Sequence, residues 1–172
     1  QINVTRLRIL VTGGVKSGKS HLAEKLALAL TSEDKPIYLA TTEFTEDPEL
    51  QQRIALHQQQ RVARFVTIEE GLWLHQKLPK EPRIVLIECL TMWLNNLLHH
   101  GHDEDWTFSE LRALWDSPHQ VVLVLNEVGL GIVPTNPLAR RFADLSGSVG
   151  HWLGEHCDQV FFCAAGLPLQ LK

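Results

Sequence analysis

An open, mainly parallel α/β sheet with helices on both faces is the architecture this sequence predicts, and three observations predict it. Apolar, β-rich runs recur along the chain. They are nearly continuous rather than alternating, as strands buried on both faces read. Helical patterns separate them, and strand–helix alternation builds a parallel sheet whose ligands sit at the carboxyl ends of the strands.

Taken in order, LRILVT (7–12), PIYLAT (36–41), RIVLIE (83–88), QVVLVLN (120–126) and QVFFCAA (159–165) are the expected strands, with FVTI (65–68) a weaker sixth. The closing LPLQLK alternates, as an edge strand does. Residues 19–31, 48–62, 90–100 and 136–156 have helical character. In the last, Leu138, Phe142, Leu145, Val149, Trp152 and Leu153 recur at three- and four-residue steps and make one apolar stripe. HHGHDEDW (99–106) is the most polar interruption and reads as a hydrated surface loop. Its histidines lack the spacing of a well-defined metal site.

The 172 residues fit one domain spanning 1–172, with 44% hydrophobic and 21% charged residues, as in ordinary globular proteins. A net charge of -4 and the lack of a basic stripe speak against nucleic acid as a partner. No segment is apolar enough for a membrane span, and QINVTRLR contains no signal-peptide core. Gln1 in place of a methionine points to a terminus that is either trimmed or only partly represented. Cys89, Cys157 and Cys163 form no CxxC pair, lie in or beside apolar runs, and read as buried free thiols of a cytoplasmic protein.

Gly13, Gly18, Lys19 and Ser20 fit GxxxxGK[ST] between an expected strand and an expected helix, the context this phosphate-binding loop requires. The loop N–H groups, from Gly13 through Gly14, Val15, Lys16, Ser17 and Gly18, turn on the anion, and the helix adds its positive end. Lys19 would reach the outer phosphates and the Ser20 hydroxyl would ligate Mg2+. Glu88, ending RIVLIE, stands where such enzymes place an acidic residue near the metal; capping the next helix is the alternative. QVVLVLN ends in Asn126 and Glu127 and enters a loop with Gly and Pro, either a site loop or a plain turn before a helix at Asn136–Pro137.

Arg53, His57 and Arg61 recur every four residues and would form one stripe on a helix. Two cations beside an imidazole disfavour its protonation and attract phosphate, as covalent nucleotidyl transfer requires. A solvated helix face is the plainer reading.

GGVKSGKS (13–20), LAT (39–41), RIALHQQQR (53–61), ECLT (88–91) and above all NEVGLGIVPTNPLARRFADLSGSVG (126–150) together resemble the bifunctional adenosylcobinamide kinase / adenosylcobinamide-phosphate guanylyltransferases of cobalamin biosynthesis. The resemblance runs over essentially the whole chain. It implies a P-loop fold similar to the recombinase core and a homotrimer. It implies phosphorylation of the aminopropanol hydroxyl of adenosylcobinamide by ATP or GTP, then transfer of GMP from GTP through an enzyme histidine. By matching position, His57 is that histidine and Gly13 through Ser20 hold the triphosphate. Ala40, Thr41, Thr42, Gln58, Gln59, Gln60, Arg61, Glu69 and Glu88 stand where the family meets the nucleotide. The sequence departs from the common pattern at Lys16, where Arg is usual, at Leu56, where a second His is frequent, and at Gln58–Gln60, in a stretch resembling KDGR. A monofunctional P-loop kinase and a non-enzymatic nucleotide switch are the competing readings.

Overall fold

A computed structural model describes residues 6–43 and 47–172. Seven strands form one sheet in the order β3-β2-β4-β5-β1-β6-β7. They are β1 (Arg8–Gly13), β2 (Ile37–Ala40), β3 (Val66–Glu69), β4 (Ile84–Glu88), β5 (Gln120–Asn126), β6 (Gln159–Ala164) and β7 (Leu167–Gln170). The first six are parallel and β7 returns antiparallel along β6, the edge position its alternating sequence predicts. The helices are α1 (Lys19–Leu30), α2 (Pro48–Arg61), α3 (Leu90–His99), α4 (Glu104–Asp116) and α5 (Pro137–His156). Among the described residues no helix is long and apolar enough to cross a membrane.

The continuous apolar runs follow from a sheet covered twice. In β4, Val85 and Ile87 enter one core, while Ile84 and Leu86 face the other. In β5, Val121, Leu123 and Leu125 alternate with Val122 and Val124 in the same way. Helices α3, α4 and α5 cover the first face through residues such as Trp93, Leu111 and Val149; α1 covers the second with Ala23 and Ala27. With the inner residues of a central strand buried on both faces, period-two alternation of polarity has no physical reason to exist.

Helix α4 departs from the sequence reading. It starts at Glu104, inside the stretch expected to be a loop, because Asp103 accepts a hydrogen bond from the Trp106 N–H at 2.9 Å and Glu104 and Asp105 occupy the first turn. Acids at a helix start complement its positive end, so a helix N-terminus passed for a solvated run. Within that run the His102 ring stacks on Trp106, with centroids 4.0 Å apart, and His100 meets Glu43 at 2.9 Å. In α5, Leu145, Val149 and Leu153 are buried as the stripe predicts, with Phe142 and Trp152 packed beside them, but Leu138 in the first turn is exposed. All three cysteines are free, Cys157 and Cys163 being buried.

A pH response is built in at the amino ends of the strands, far from the glycine-rich loop. His119 is 1% exposed, and its Nδ1 accepts a hydrogen bond from the Arg83 N–H at 3.0 Å, which requires a neutral ring. Burial holds this imidazole below its ordinary value; the Arg83 charge adds to the effect and a bond to the Pro79 backbone opposes it. The unfolded chain therefore binds the proton more readily than the native one, and stability falls with falling pH. The contribution is complete above about pH 6.5, the ordinary histidine value, and is lost as pH drops through the depressed native value. Thermal midpoints between pH 7.5 and 5 should fall more steeply for the natural chain than for His119→Asn. Equal slopes would remove His119 as the cause.

Candidate functional site

The carboxyl ends of the strands bring the site together. Register pairs Ala40 with both Glu69 and Glu88, so β3, β2 and β4 end level, with a carboxylate on each side of Ala40. On the other half of the sheet, Gly13 pairs with Asn126 and Cys163, and the Glu127 N–H donates to the Gly13 carbonyl at 2.8 Å.

The glycine-rich loop leaves β1 at Gly13, with φ 153°. A Cβ there would lie 2.5 Å from the Cys163 carbonyl oxygen and 2.6 Å from Ser17 Oγ, so the turn has no room for any side chain. Gly18, at φ 91°, brings the chain into α1, and the β6–β7 turn backs the loop through a bond from the Gly166 N–H to the Ser17 carbonyl at 3.0 Å. No side chain caps α1 and no acid occupies its first turn. Its free N–H groups and positive end are thus left for an anion. Lys19 is buried, and its ammonium donates to the Gly14 carbonyl at 2.9 Å, bent back across the loop that would hold the phosphates.

Beside the loop, the Ser20 hydroxyl donates to Glu88 Oε1 in a short hydrogen bond, while Glu88 Oε2 is buried without a partner. Burial pushes the Glu88 carboxyl above the usual range; the Ser20 bond and the Lys19 and Arg61 charges pull against it, and Glu24 adds to the rise. A buried carboxylate with one oxygen unsatisfied is expensive. A hydroxyl and a carboxylate at one point form an oxygen donor pair suited to a hard cation, whose other ligands would be water and phosphate oxygens.

Opposite these groups stands α2. Asp47 accepts from the Glu49 N–H at 3.0 Å and the Leu50 N–H at 3.5 Å, and Pro48 opens the helix where its missing N–H costs nothing. Ile54, His57, Gln58 and Arg61, at positions i, i+3, i+4 and i+7, line a cavity of about 380 Å3. Ser20, Glu24, Tyr38, Ala40, Thr42, Glu69, Glu88 and Cys89 complete its walls. This is a volume in the range of small-ligand sites. Gln58 Nε2 donates to Glu69 Oε1 at 2.5 Å, tying the helix to the end of β3. The histidine imidazole is exposed to the cavity.

The expected stripe of His57 between two arginines is not a uniform face. A four-residue step advances about 40° beyond a full turn, so Arg53 and Arg61 diverge. Arg53 pairs with Glu49 at 2.8 Å in solvent, while Arg61 is buried over the Tyr38 ring. Of the glycine-rich loop only Ser20 reaches the cavity lining, and outside the loop three expected positions turn away from it. Gln59 and Gln60 are exposed and off the lining, being about 100° and 200° round the helix from Gln58. Thr41 is fully buried, donating to the Cys89 carbonyl at 2.7 Å and accepting from the Cys89 N–H at 2.9 Å. Sequence reasoning passed over Glu24, Tyr38 and Ile54. Glu24 follows Ser20 by four residues on α1 and could have been found that way. Tyr38, inside an apolar strand, carried no signal.

A glycine loop entering an uncapped helix, a Ser–Glu oxygen pair and a parallel sheet together define a P-loop nucleotide-binding protein. Comparison with known proteins agrees and goes further. Residues 9–171 match the family described as cobinamide kinase / cobinamide phosphate guanyltransferase, and the chain belongs to that family. It is 40% identical over 176 residues to the bifunctional adenosylcobalamin biosynthesis protein CobP of Pseudomonas aeruginosa, covering 96% of this chain and 98% of the relative. It is 35% identical over 187 residues to the bifunctional adenosylcobalamin biosynthesis protein CobU of Escherichia coli, covering 96% of this chain and all of that one. Among solved structures, a prototypical ATPase from the type III secretion system of pathogenic bacteria superposes with a TM-score of 0.50 at 14% identity. That match covers 95% of this chain and 56% of the other, and it bears on the fold alone.

Proposed function

We propose that this protein phosphorylates the aminopropanol hydroxyl of adenosylcobinamide with ATP or GTP and then transfers GMP from GTP to the phosphate it has made. The observation that carries the reading is that His57 shares one cavity with Ser20 and Glu88 of the phosphate-loop side. Family membership and the bifunctional names of the relatives support both halves.

In the first reaction the hydroxyl oxygen attacks the γ-phosphorus, its bond to the nucleoside diphosphate breaks, and the hydroxyl proton is released. Loop N–H groups and Lys19 stabilise the charge that develops on the phosphoryl oxygens. In the second, a His57 ring nitrogen attacks the α-phosphorus of GTP and pyrophosphate leaves. A phosphate oxygen of adenosylcobinamide phosphate then attacks the same phosphorus, the P–N bond breaks, and adenosylcobinamide-GDP forms with the imidazole regenerated. Ser20 and Glu88 would hold Mg2+, which supplies charge neutralisation for the phosphates when bound. Gly13 to Ser20, Ala40, Thr42, Gln58, Arg61, Glu69 and Glu88 are the nucleotide contacts we assign. Thr41, Gln59 and Gln60 act, on this reading, through the backbone or after α2 shifts.

The decisive test is mass spectrometry of the protein after exposure to GTP and Mg2+. A peptide containing His57 should carry the mass of GMP. Protein that turns over adenosylcobinamide with ATP yet carries no GMP would leave a kinase and remove the transferase.

We also propose a homotrimer in the cytoplasm. The loop between β5 and α5 exposes Leu130, Ile132 and Val133 at 80%, 97% and 75%, more apolar surface than one loop of a monomer normally presents. Light scattering of a purified sample should return three times the chain mass; a monomer would refute the assembly. The free thiols fit a reducing compartment.

A further inference from the structure

Arg61 closes α2 with its side chain only 8% exposed, lying on the Tyr38 ring with Cζ 3.8 Å from the centroid. Its guanidinium makes no ion pair or hydrogen bond among the described residues, and its Nε is buried with no partner. A stacked ring returns only a fraction of the cost of burying an unpaired cation. The cavity therefore holds a largely buried guanidinium with no direct partner, whose terminal nitrogens an anion entering the cavity could reach.

The ring beneath it is fixed. Tyr38 lies in β2 with Phe65 edge-on at 5.7 Å and 78°, within the core under α1. A guanidinium whose Cζ rests 3.8 Å over a fixed ring is held in place, and its N–H groups are what receive phosphate oxygens. His57 stands one helical turn away on the same wall.

We propose that Tyr38 is a positioning residue for nucleotidyl transfer: its ring is the platform that holds Arg61 as the receptor for a phosphate oxygen of the nucleotide, one turn from His57. The inference rests on the guanylyl-transfer reading. It assigns the strand residue a role that its apolar surroundings conceal, and it accounts for a largely buried cation that no carboxylate of the cavity contacts, although Glu88 lies near enough to feel its charge.

The test uses the full chain with Tyr38→Phe, Tyr38→Leu, Arg61→Lys and the Tyr38→Leu/Arg61→Lys pair. Two quantities are read: the rate at which His57 takes label from GTP labelled on the α-phosphate, and the GTP dissociation constant by calorimetry. Tyr38→Phe, which keeps the ring, should match the natural chain in both. Tyr38→Leu and Arg61→Lys should each slow labelling and weaken GTP by about tenfold or more, the scale of a desolvated cation–π contact. The pair should be no worse than either alone, because both changes break one contact. A purely structural role for the ring would instead lower the thermal midpoint and multiply with Arg61→Lys. Effects that multiply, a Phe variant as slow as the Leu variant, or an unaffected Leu variant would each overturn the proposal. Should the natural chain take no label, the guanylyl-transfer reading fails, and the GTP dissociation constants of the same proteins still decide the role of Tyr38.

Discussion

Replacing His57 with alanine is expected to abolish incorporation of label from α-labelled GTP while leaving γ-phosphoryl transfer to adenosylcobinamide in place. The natural chain should yield an adduct that is labile in acid and stable in base, as a phosphorus–nitrogen bond to imidazole is. Loss of a nucleophile removes the covalent path itself, so the fall should be at least about a thousandfold, within the range seen when a nucleophile is deleted. The interpretation is clean because the residue is structurally idle. His57 is exposed, makes no hydrogen bond among the described residues, and sits in a helix where alanine is the better former. Stability should change by no more than about 0.5 kcal/mol. Label that persists in His57→Ala would mean that another group carries the nucleotide, and the shared cavity would lose its assigned chemistry.

Lys19→Ala should have the opposite breadth. On the proposed function both reactions begin with a triphosphate on the loop, so both should slow, by about 10^2- to 10^3-fold if Lys19 supplies one preorganised charge to the transition state. In the resting loop its ammonium is satisfied by the Gly14 carbonyl, so substitution removes one hydrogen bond, about 1 kcal/mol, and the fold should survive. Circular dichroism and a thermal midpoint within several degrees of the natural chain establish that survival. Retention of full kinase turnover would show that the loop does not cradle the reacting phosphates. Together, the two substitutions should separate the reactions, the loss in His57→Ala being confined to the second and the loss in Lys19→Ala being shared by both.

Much of this was legible in one dimension. Continuous runs such as QVVLVLN and RIVLIE announced strands buried on both faces, and β5 falls on the residues expected, Gln120–Asn126. The loop from Gly13 to Ser20 could be read because its chemistry is local: positive φ, free N–H groups and an uncapped helix all come from adjacent residues. Helix α4 was hidden because a capping aspartate and an acidic first turn have the composition of a solvated loop.

By itself, then, the order of residues determined the layered sheet and the phosphate loop at its carboxyl end, and whole-chain resemblance pointed to a candidate histidine on α2. Only the tertiary structure decided that Glu69 and Glu88 flank Ala40 across three strands, that Ser20 meets Glu88 over a separation of 68 positions, and that Arg61 turns inward onto Tyr38 while Arg53 does not. The reason is physical. Backbone preference and periodicity act over a few residues and leave their mark in the local pattern. Strand register and helix docking, by contrast, are settled by burying distant surfaces together, and the pairing of side chains across the cavity exists only once that burial is complete.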